Sequence, residues 1–128
     1  MRLLGADIRQ LATGTVTLAL PVRSALHQQH GFVHAGAVAT LLDTACGFAA
    51  LTVMDEGVGV LTAEYKVNLL RPANGDVVVA EARVANAGRT LVVCTGRAWA
   101  EADGVAGPDV ALLTATLAAV RDRLDVVD

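Results

Sequence analysis

The sequence has few charged residues, and this shortage limits what the protein can be. Charged residues make up 18% of the 128 residues, whereas hydrophobic residues make up 54%. That balance is apolar for one domain, so we expect part of the surface to be buried between subunits. Ten Lys and Arg are outnumbered by thirteen Asp and Glu and are scattered along the chain, which argues against a nucleic-acid partner.

The sequence also has only two cysteines and no visible repeat or linker. Cys46 and Cys94 lie far apart and belong to no paired-cysteine motif, so they predict neither a disulfide framework nor a zinc site. We expect both to be buried as small hydrophobic residues. The first residues lack the long apolar core of a secretory signal, which predicts a reducing, cytoplasmic location. A length of 128 residues is typical of one domain, here residues 1–128.

The longest apolar stretch, residues 35–54, contains no Pro and carries Asp43 as its only charge. Its length approaches the roughly 20 apolar residues of a membrane span. Because a carboxylate at its middle makes insertion into a bilayer costly, we interpret the stretch as the central helix of a protein with no membrane partner. A shorter helix is expected over residues 3–11.

Five segments show the alternation that is typical of strands: residues 13–20, 60–70, 77–87, 90–100 and 110–120. In the second segment, the odd-numbered residues from Leu61 to Leu69 share one face and the even-numbered residues from Thr62 to Asn68 share the other. Turn residues separate the later strands at 72–75, 86–88, 103–104 and 107–108. Such short connections imply antiparallel pairing. An apolar helix is hidden best if five or six such strands curl around it, which is an α+β architecture.

Small residues surround Asp43 on the predicted helix. At 100° per residue, its neighbours on the same face are Gly36, Ala39, Thr40, Cys46, Gly47, Ala50 and Met54. All except Met54 are small, so the carboxylate lies in a groove with room for a ligand or for another backbone. Asp43 is therefore a candidate general base. The alternative is a structural carboxylate held by donors from a neighbouring chain.

Polar residues and glycines precede this helix in residues 27–36. Unpaired amides at a helix N-terminus, together with the positive end of the helix dipole, can stabilise a developing oxyanion. The alternative is an ordinary loop and cap. Ala35 lies about eight residues before Asp43, roughly 12 Å along a helix, so one carbonyl cannot contact both in the same chain. If the two act together, the helix start of one subunit must meet Asp43 of another, which requires at least a dimer.

Several motifs resemble the PaaI-like thioesterases of the hot-dog fold. They are Gly31-Phe32-Val33-His34-Ala35-Gly36 followed after six residues by Asp43-Thr44-Ala45, then Thr62-Ala63-Glu64-Tyr65, Asn68-Leu69-Leu70-Arg71-Pro72-Ala73, Gly75-Asp76 and Gly88-Arg89-Thr90. The resemblance covers residues 26–120. It implies a hot-dog fold, in which an antiparallel five- or six-stranded sheet wraps around a long central helix. It also implies hydrolysis of an acyl-CoA thioester to a free acid and CoA.

The resemblance implies a catalytic set of residues. Asp43 would be the nucleophile or the general base, and the amides of Ala35 and Gly36 would form the oxyanion hole. Gln28 would orient the carbonyl or a water, and Thr62 would assist the attack of water. Ala35 stands where the family usually has a glycine, so the amide is retained but a methyl group is added.

The resemblance also implies substrate contacts from His34, Gly47, Arg71, Arg89 and Thr90. The two arginines would lie near the phosphates of the CoA nucleotide, because a guanidinium pairs well with phosphate oxygens. No metal or other cofactor is implied. The predicted assembly is a homo-oligomer in which a dimer is the minimal active unit, and the family favours a tetramer built as a dimer of dimers.

Three other interpretations remain open at this point. His27, His30 and His34 have a spacing that could gather imidazoles around a metal on a helix, but Gly31 and the predicted loop break that geometry. A hot-dog hydratase would pair a His with the carboxylate, and the residue one turn and one position beyond Asp43 is Phe48. A noncatalytic acyl-CoA or small-ligand binding module would keep the fold and the groove but lack turnover.

Overall fold

A computed structural model describes residues 1–121. Its elements are β1 Asp7–Ala12, β2 Thr15–Pro21, a 3₁₀ turn Ser24–Leu26, α1 Ala35–Leu51, β3 Gly59–Leu69, β4 Val77–Ala87, β5 Leu91–Ala102 and β6 Val105–Val120. All six strands form one antiparallel sheet in the order β1-β2-β4-β5-β6-β3, and α1 packs against β2 to β6. The predicted α+β architecture is confirmed, with six strands. Residues 122–128 of the predicted domain lie outside the described part.

The core lies between α1 and the inward face of the sheet. The buried helix residues are Val38, Leu41, Leu42, Ala45, Cys46, Ala49 and Ala50. Cys46 and Cys94 are both fully buried, as expected. At Gly96 of β5, a Cβ would lie only 3.1 Å from Leu42 Cδ2, so glycine lets the helix approach the sheet closely there. No helix within residues 1–121 has the length and hydropathy that crossing a bilayer requires.

The helix predicted over residues 3–11 is wrong, because β1 occupies the second half of that segment. Ile8 and Leu11 are three residues apart, a spacing that suits a helical face. In the sheet, a shift in register at Arg9 puts the two side chains on the same face: Ile8 pairs with Leu18, and Leu11 pairs with Val16. The bulge keeps both side chains on the inward face, so an irregular strand imitates helical spacing.

The turn predicted at residues 107–108 is also wrong. The chain reverses at Asp103 and Gly104, both of which have positive φ (53° and 78°), and β6 begins directly after them. Two residues with positive φ are typical of the tight turns that match strand twist. Pro108 then lies in the part of β6 that precedes its pairing with β3, beside an irregularity in the β5–β6 register. A missing backbone N–H is tolerated at such a position.

A bulge in β3 decides which of its side chains face the helix. Thr62 pairs with Leu117, whereas Glu64 pairs with Thr116, so the register shifts between them. Leu117 is fully buried under α1. Directly paired residues share a face of the sheet, so Thr62 faces the helix and Leu61 faces away from it. The predicted alternation is therefore wrong at the start of β3, although it holds beyond the bulge.

Candidate active site

The Asp43 carboxylate meets the hydroxyl of Thr62 across the interface between α1 and β3. Thr62 Oγ1 donates a hydrogen bond to Asp43 Oδ1 at 2.7 Å. This contact depends on the bulge in β3, which turns Thr62 towards the helix. Among residues 1–121 no donor contacts the other carboxylate oxygen of Asp43, which is half-buried. The pair therefore offers an oriented acceptor with a free oxygen.

A groove of about 410 Å³ opens beside this pair, and we call it the Asp43 groove. Its lining consists of Asp43, Thr44, Gly47, Phe48, Leu51, Val58, Gly59, Val60, Leu61 and Thr62. Gly47 was predicted to contact substrate, and a Cβ there would lie 3.8 Å from Val60 Cγ2, an ordinary contact. The apolar residues that line the groove were not predicted as site residues, because an apolar residue at helical or strand spacing indicates a position in the hydrophobic core. Asp43, Thr62 and Thr44 are the polar residues of this lining, and the others are glycines or apolar residues.

The start of α1 is capped by His34. Its Nδ1 accepts a hydrogen bond from Gly36 N–H at 3.0 Å, and its carbonyl accepts from Ala37 N–H at 2.9 Å. In the part of the chain that is described, the Ala35 N–H donates to no protein acceptor. Of the two amides predicted for the oxyanion hole, the amide of Ala35 is open, whereas the amide of Gly36 is engaged by His34. The φ angle of Ala35 is not positive, so this position does not require a glycine.

Gln28 is held in a tight loop before the helix. Its Oε1 accepts a hydrogen bond from His30 N–H, and its backbone N–H donates to Phe32 O at 2.7 Å. Gly31 has φ of +84°, a conformation that glycine adopts without strain, and its N–H donates to Gln28 O at 3.0 Å. The hydrogen bond from His30 fixes the orientation of the Gln28 side-chain amide, and its Nε2 is the group that can donate to a ligand.

A second cavity of about 610 Å³ lies at this end of the helix, and we call it the helix-start cavity. It brings together four predicted site residues: Gln28, His34, Ala35 and Arg71. The rest of its lining is Phe32, Val33, Val38, Leu69, Leu70, Pro72, Ala73 and Val110. The Arg71 guanidinium donates to the carbonyl oxygen of Asp109, which holds the cation at the rim.

The two cavities share no lining residue, so one chain does not unite the predicted catalytic set. Asp43 and Thr62 lie in one cavity, and Gln28 and Ala35 lie in the other. Arg89 and Thr90 line neither cavity. They lie in the turn after β4, where the carbonyl of Thr90 accepts from Ala119 N–H at 2.8 Å.

The two buried cysteines lie next to each other in the core, and Cys46 lies on the helix of Asp43. The thiol of Cys94, burial and the nearby charge of Asp43 all raise the pKa of the Cys46 thiol far above its usual range, so this thiol stays protonated. A protonated thiol is a poor nucleophile and metal ligand. Within residues 1–121, no group of three or more His, Cys, Asp or Glu side chains could hold a metal ion.

Comparison with protein families and named proteins supports an assignment to a class. The model of the thioesterase superfamily matches residues 30–106. A protein from Halobacterium salinarum that carries the provisional name of esterase is 36% identical to this chain over 95 residues. The match covers 70% of this chain and 62% of that protein, so the chain spans about three fifths of this relative's length.

Solved structures show the same architecture. A thioesterase family protein from Silicibacter pomeroyi is 50% identical, with a TM-score of 0.90 and coverage of 94% of this chain and 88% of that chain. A Bacillus halodurans protein crystallised with CoA is 27% identical, with a TM-score of 0.74 and coverage of 81% and 66%. The PaaI protein of the Escherichia coli phenylacetic acid degradation operon, at 24% identity, shares the fold with a TM-score of 0.79 and coverage of 93% and 82%.

A six-stranded antiparallel sheet packed around one helix is the hot-dog fold, and the solved thioesterase family structure shares it. The chain belongs to the thioesterase superfamily. The predicted hot-dog fold and the predicted likeness to PaaI-type enzymes are both confirmed. The individual roles predicted for the site residues stay predictions.

Proposed function

We propose that this protein hydrolyses an acyl-CoA thioester to a free acid and CoA, with Asp43 as the catalytic carboxylate. The observation that carries this proposal is the 2.7 Å hydrogen bond from Thr62 to Asp43 inside a groove with apolar walls. Membership of the thioesterase superfamily supports the bond that is cleaved. The CoA in the related Bacillus halodurans protein supports the choice of leaving group.

Asp43 acts as a general base on water. Thr62 holds Oδ1, so Oδ2 is free to accept a proton from a water in the groove. The oxygen of that water attacks the thioester carbonyl carbon while its proton passes to Asp43. The carbon–sulfur bond then breaks, and the departing CoA thiolate takes the proton back from Asp43. General-base catalysis of this kind typically contributes about 10²- to 10⁴-fold to the rate. Direct attack by the carboxylate, through an anhydride, is the alternative route.

The start of α1 stabilises the negative charge that develops on the carbonyl oxygen. The Ala35 N–H is the open donor there, and the positive end of the helix dipole reinforces it. Gln28 lines the same cavity, and its Nε2 orients the carbonyl or the water. The Gly36 amide supports the site indirectly, because its hydrogen bond to His34 keeps the first turn of the helix in place.

The complete site forms between two copies of the chain. β3 is an edge strand, and it exposes Leu61, Tyr65 and Leu69 by 57%, 46% and 56%. Antiparallel pairing of β3 with its copy would satisfy the open edge and cover these side chains. A twofold axis near Tyr65 and Lys66 would put the Thr62 end of one copy beside the Leu69 end of the other. Leu69 lines the helix-start cavity, so each Asp43 groove would meet the partner's helix-start cavity.

The CoA nucleotide binds at the rim of the combined site. Arg71 is the better candidate for its phosphates, since it lines the helix-start cavity, while Arg89 with Thr90 lies outside both cavities of one chain. His34 is exposed, and its second ring nitrogen carries the proton when Nδ1 accepts from Gly36, so it can donate to the substrate. A dimer of dimers remains the predicted assembly.

The decisive experiment measures thiol release from a panel of acyl-CoAs by the wild type and Asp43→Asn. We expect Asp43→Asn to lower kcat by about 10²-fold or more, because the amide cannot accept the proton. Asp55→Asn is the matched control, since Asp55 is exposed and lines neither cavity. Undiminished activity of Asp43→Asn would remove Asp43 from the mechanism. Tight acyl-CoA binding by the wild type without thiol release would favour a binding module.

A further inference from the structure

Phe48 stands between the Asp43 groove and a third cavity. This cavity has a volume of about 340 Å³, and we call it the N-terminal cavity. Its lining is Met1, Arg2, Ala6, Asp7, Ile8, Leu18 and Phe48. In the described part of the chain, Phe48 is the residue that lines both this cavity and the Asp43 groove. Its side chain is half-buried and packs against the core, so it separates the two spaces.

The Asp43 groove suits an acyl chain because it combines the polar pair of Asp43 and Thr62 with a lining that is otherwise apolar apart from Thr44. The thioester carbonyl reacts at this pair under the proposed function. The remaining walls include Leu51, Val58 and Val60, which offer apolar contact without competing hydrogen bonds. An acyl tail that leaves the carbonyl therefore gains free energy by following these walls away from Asp43.

The position of Phe48 on the helix puts it at the far end of that path. Phe48 follows Asp43 by five residues, which is about 7.5 Å along the axis and roughly 140° around it. The two side chains thus lie on opposite flanks of α1, and the groove joins them across the exposed side of the helix. An acyl tail that runs the length of the groove meets the Phe48 ring.

We propose that Phe48 is the end wall of the acyl-binding groove and sets the length of acyl chain that the enzyme accepts. This inference rests on the proposed thioesterase function and adds a specificity-determining residue to it. Beyond the ring, Met1, Ala6, Ile8 and Leu18 supply apolar walls for a longer chain, and Arg2 and Asp7 supply the polar residues of the lining. A smaller residue at position 48 joins the groove to the N-terminal cavity.

The test measures kcat/KM for straight-chain acyl-CoAs of increasing length with the wild type, Phe48→Ala and Phe48→Trp. Burial of each additional methylene raises kcat/KM by about fourfold while the groove has room. In the wild type this rise stops at the length that reaches Phe48. We expect it to continue to longer chains in Phe48→Ala and to stop at shorter chains in Phe48→Trp. The ratio of long-chain to short-chain activity in Phe48→Ala should exceed that of the wild type by about tenfold or more.

A matched control fills the N-terminal cavity from its other side. Ile8 lines this cavity but not the Asp43 groove. Ile8→Trp alone should leave the chain-length profile of the wild type unchanged. In the double variant Ile8→Trp with Phe48→Ala, the gain for long chains should disappear, because the newly opened space is occupied again. This cancellation is not expected if Phe48→Ala only loosens the fold.

An unchanged chain-length profile in a folded Phe48→Ala enzyme, with folding checked by thermal unfolding, would overturn the proposal. Phe48→Leu and Phe48→Trp keep the test open if Phe48→Ala does not fold, since both retain a large apolar side chain. A profile that Phe48→Trp does not shorten would also count against the end wall. Failure of the proposed function looks different: the wild type would then release thiol from no acyl-CoA of any length.

Discussion

The two ends of the proposed reaction path differ in the kind of group that each supplies. At the start of α1 the groups are backbone donors, held by a loop in which Gln28, Gly31 and His34 make local hydrogen bonds. At the middle of α1 the groups are side chains, Asp43 and Thr62, which come from elements far apart in sequence. A backbone N–H is present whatever side chain its residue carries, whereas the contact of Asp43 with Thr62 depends on the register of a strand.

The largest expected effect comes from a variant that removes the backbone donor at the start of α1 and leaves Asp43 and Thr62 unchanged. Ala35→Pro removes the open N–H at a helix position where proline is favoured, and the extended backbone of His34 (ψ 132°) suits a following proline. We expect Ala35→Pro to lose about 10²- to 10³-fold in kcat with little change in stability. Ala35→Gly keeps the amide and should stay within a few-fold of the wild type.

Mixed dimers of Ala35→Pro and Asp43→Asn then test whether the ends belong to different chains. If each site combines both copies, a mixed dimer contains one intact site and one site with both defects. Activity should therefore return to roughly half of the wild-type value in purified, differently tagged heterodimers. Mixed dimers as inactive as either parent would show that both groups act within one chain.

A smaller effect is expected at the side-chain end from Thr62→Val. This variant removes the hydroxyl that donates to Asp43 but keeps the size and branching of the side chain. A hydrogen bond to a charged group is typically worth about 1.5 to 3 kcal/mol, so kcat should fall by about 10- to 100-fold. Thr62→Ser restores the donor and should recover most of the rate. Undiminished kcat in Thr62→Val, which keeps the shape of the side chain, would indicate that Thr62 only fills space.

The smallest effect is expected far from both ends, at the ion pair of Arg9 with Glu101. Their closest atoms are 2.9 Å apart, and the Arg9 hydrogen bond lowers the pKa of Glu101 below its ordinary value of 4.5. The pair therefore stabilises the fold at neutral pH, and this contribution is lost as the pH falls through the folded-state pKa of Glu101. Arg9→Ala should lower the free energy of unfolding by no more than about 1 kcal/mol at neutral pH, because the pair is near the surface.

Denaturant unfolding at neutral and acidic pH measures this effect, with Glu101→Gln and the double variant completing a mutant cycle. The difference between Arg9→Ala and the wild type should vanish in acid, and kcat should stay unchanged at neutral pH. A loss of activity in Arg9→Ala would mean that the outer surface of the sheet influences the site, although Arg9 and Glu101 line neither the Asp43 groove nor the helix-start cavity.

Several features could be predicted because they follow from local patterns. The apolar stretch with Asp43 identified α1 and its start at Ala35, and alternation identified β4 with the bounds Val77–Ala87. The motifs around the helix start indicated the family. These features depend only on the geometry and the neighbouring residues of one segment, so they can be predicted from the sequence of that segment.

The sequence by itself determined the periodic elements, the polar loop before α1 and the carboxylate at the middle of that helix. The tertiary structure decided the bulge that turns Thr62 towards Asp43, the strand at Ile8 and Leu11, and the ring of Phe48 between two cavities. Those features arise from pairing with residues distant in sequence, and a bulge reverses the alternation by which a strand is read. Patterns therefore specify elements, whereas packing between elements specifies where the side chains of the candidate site point.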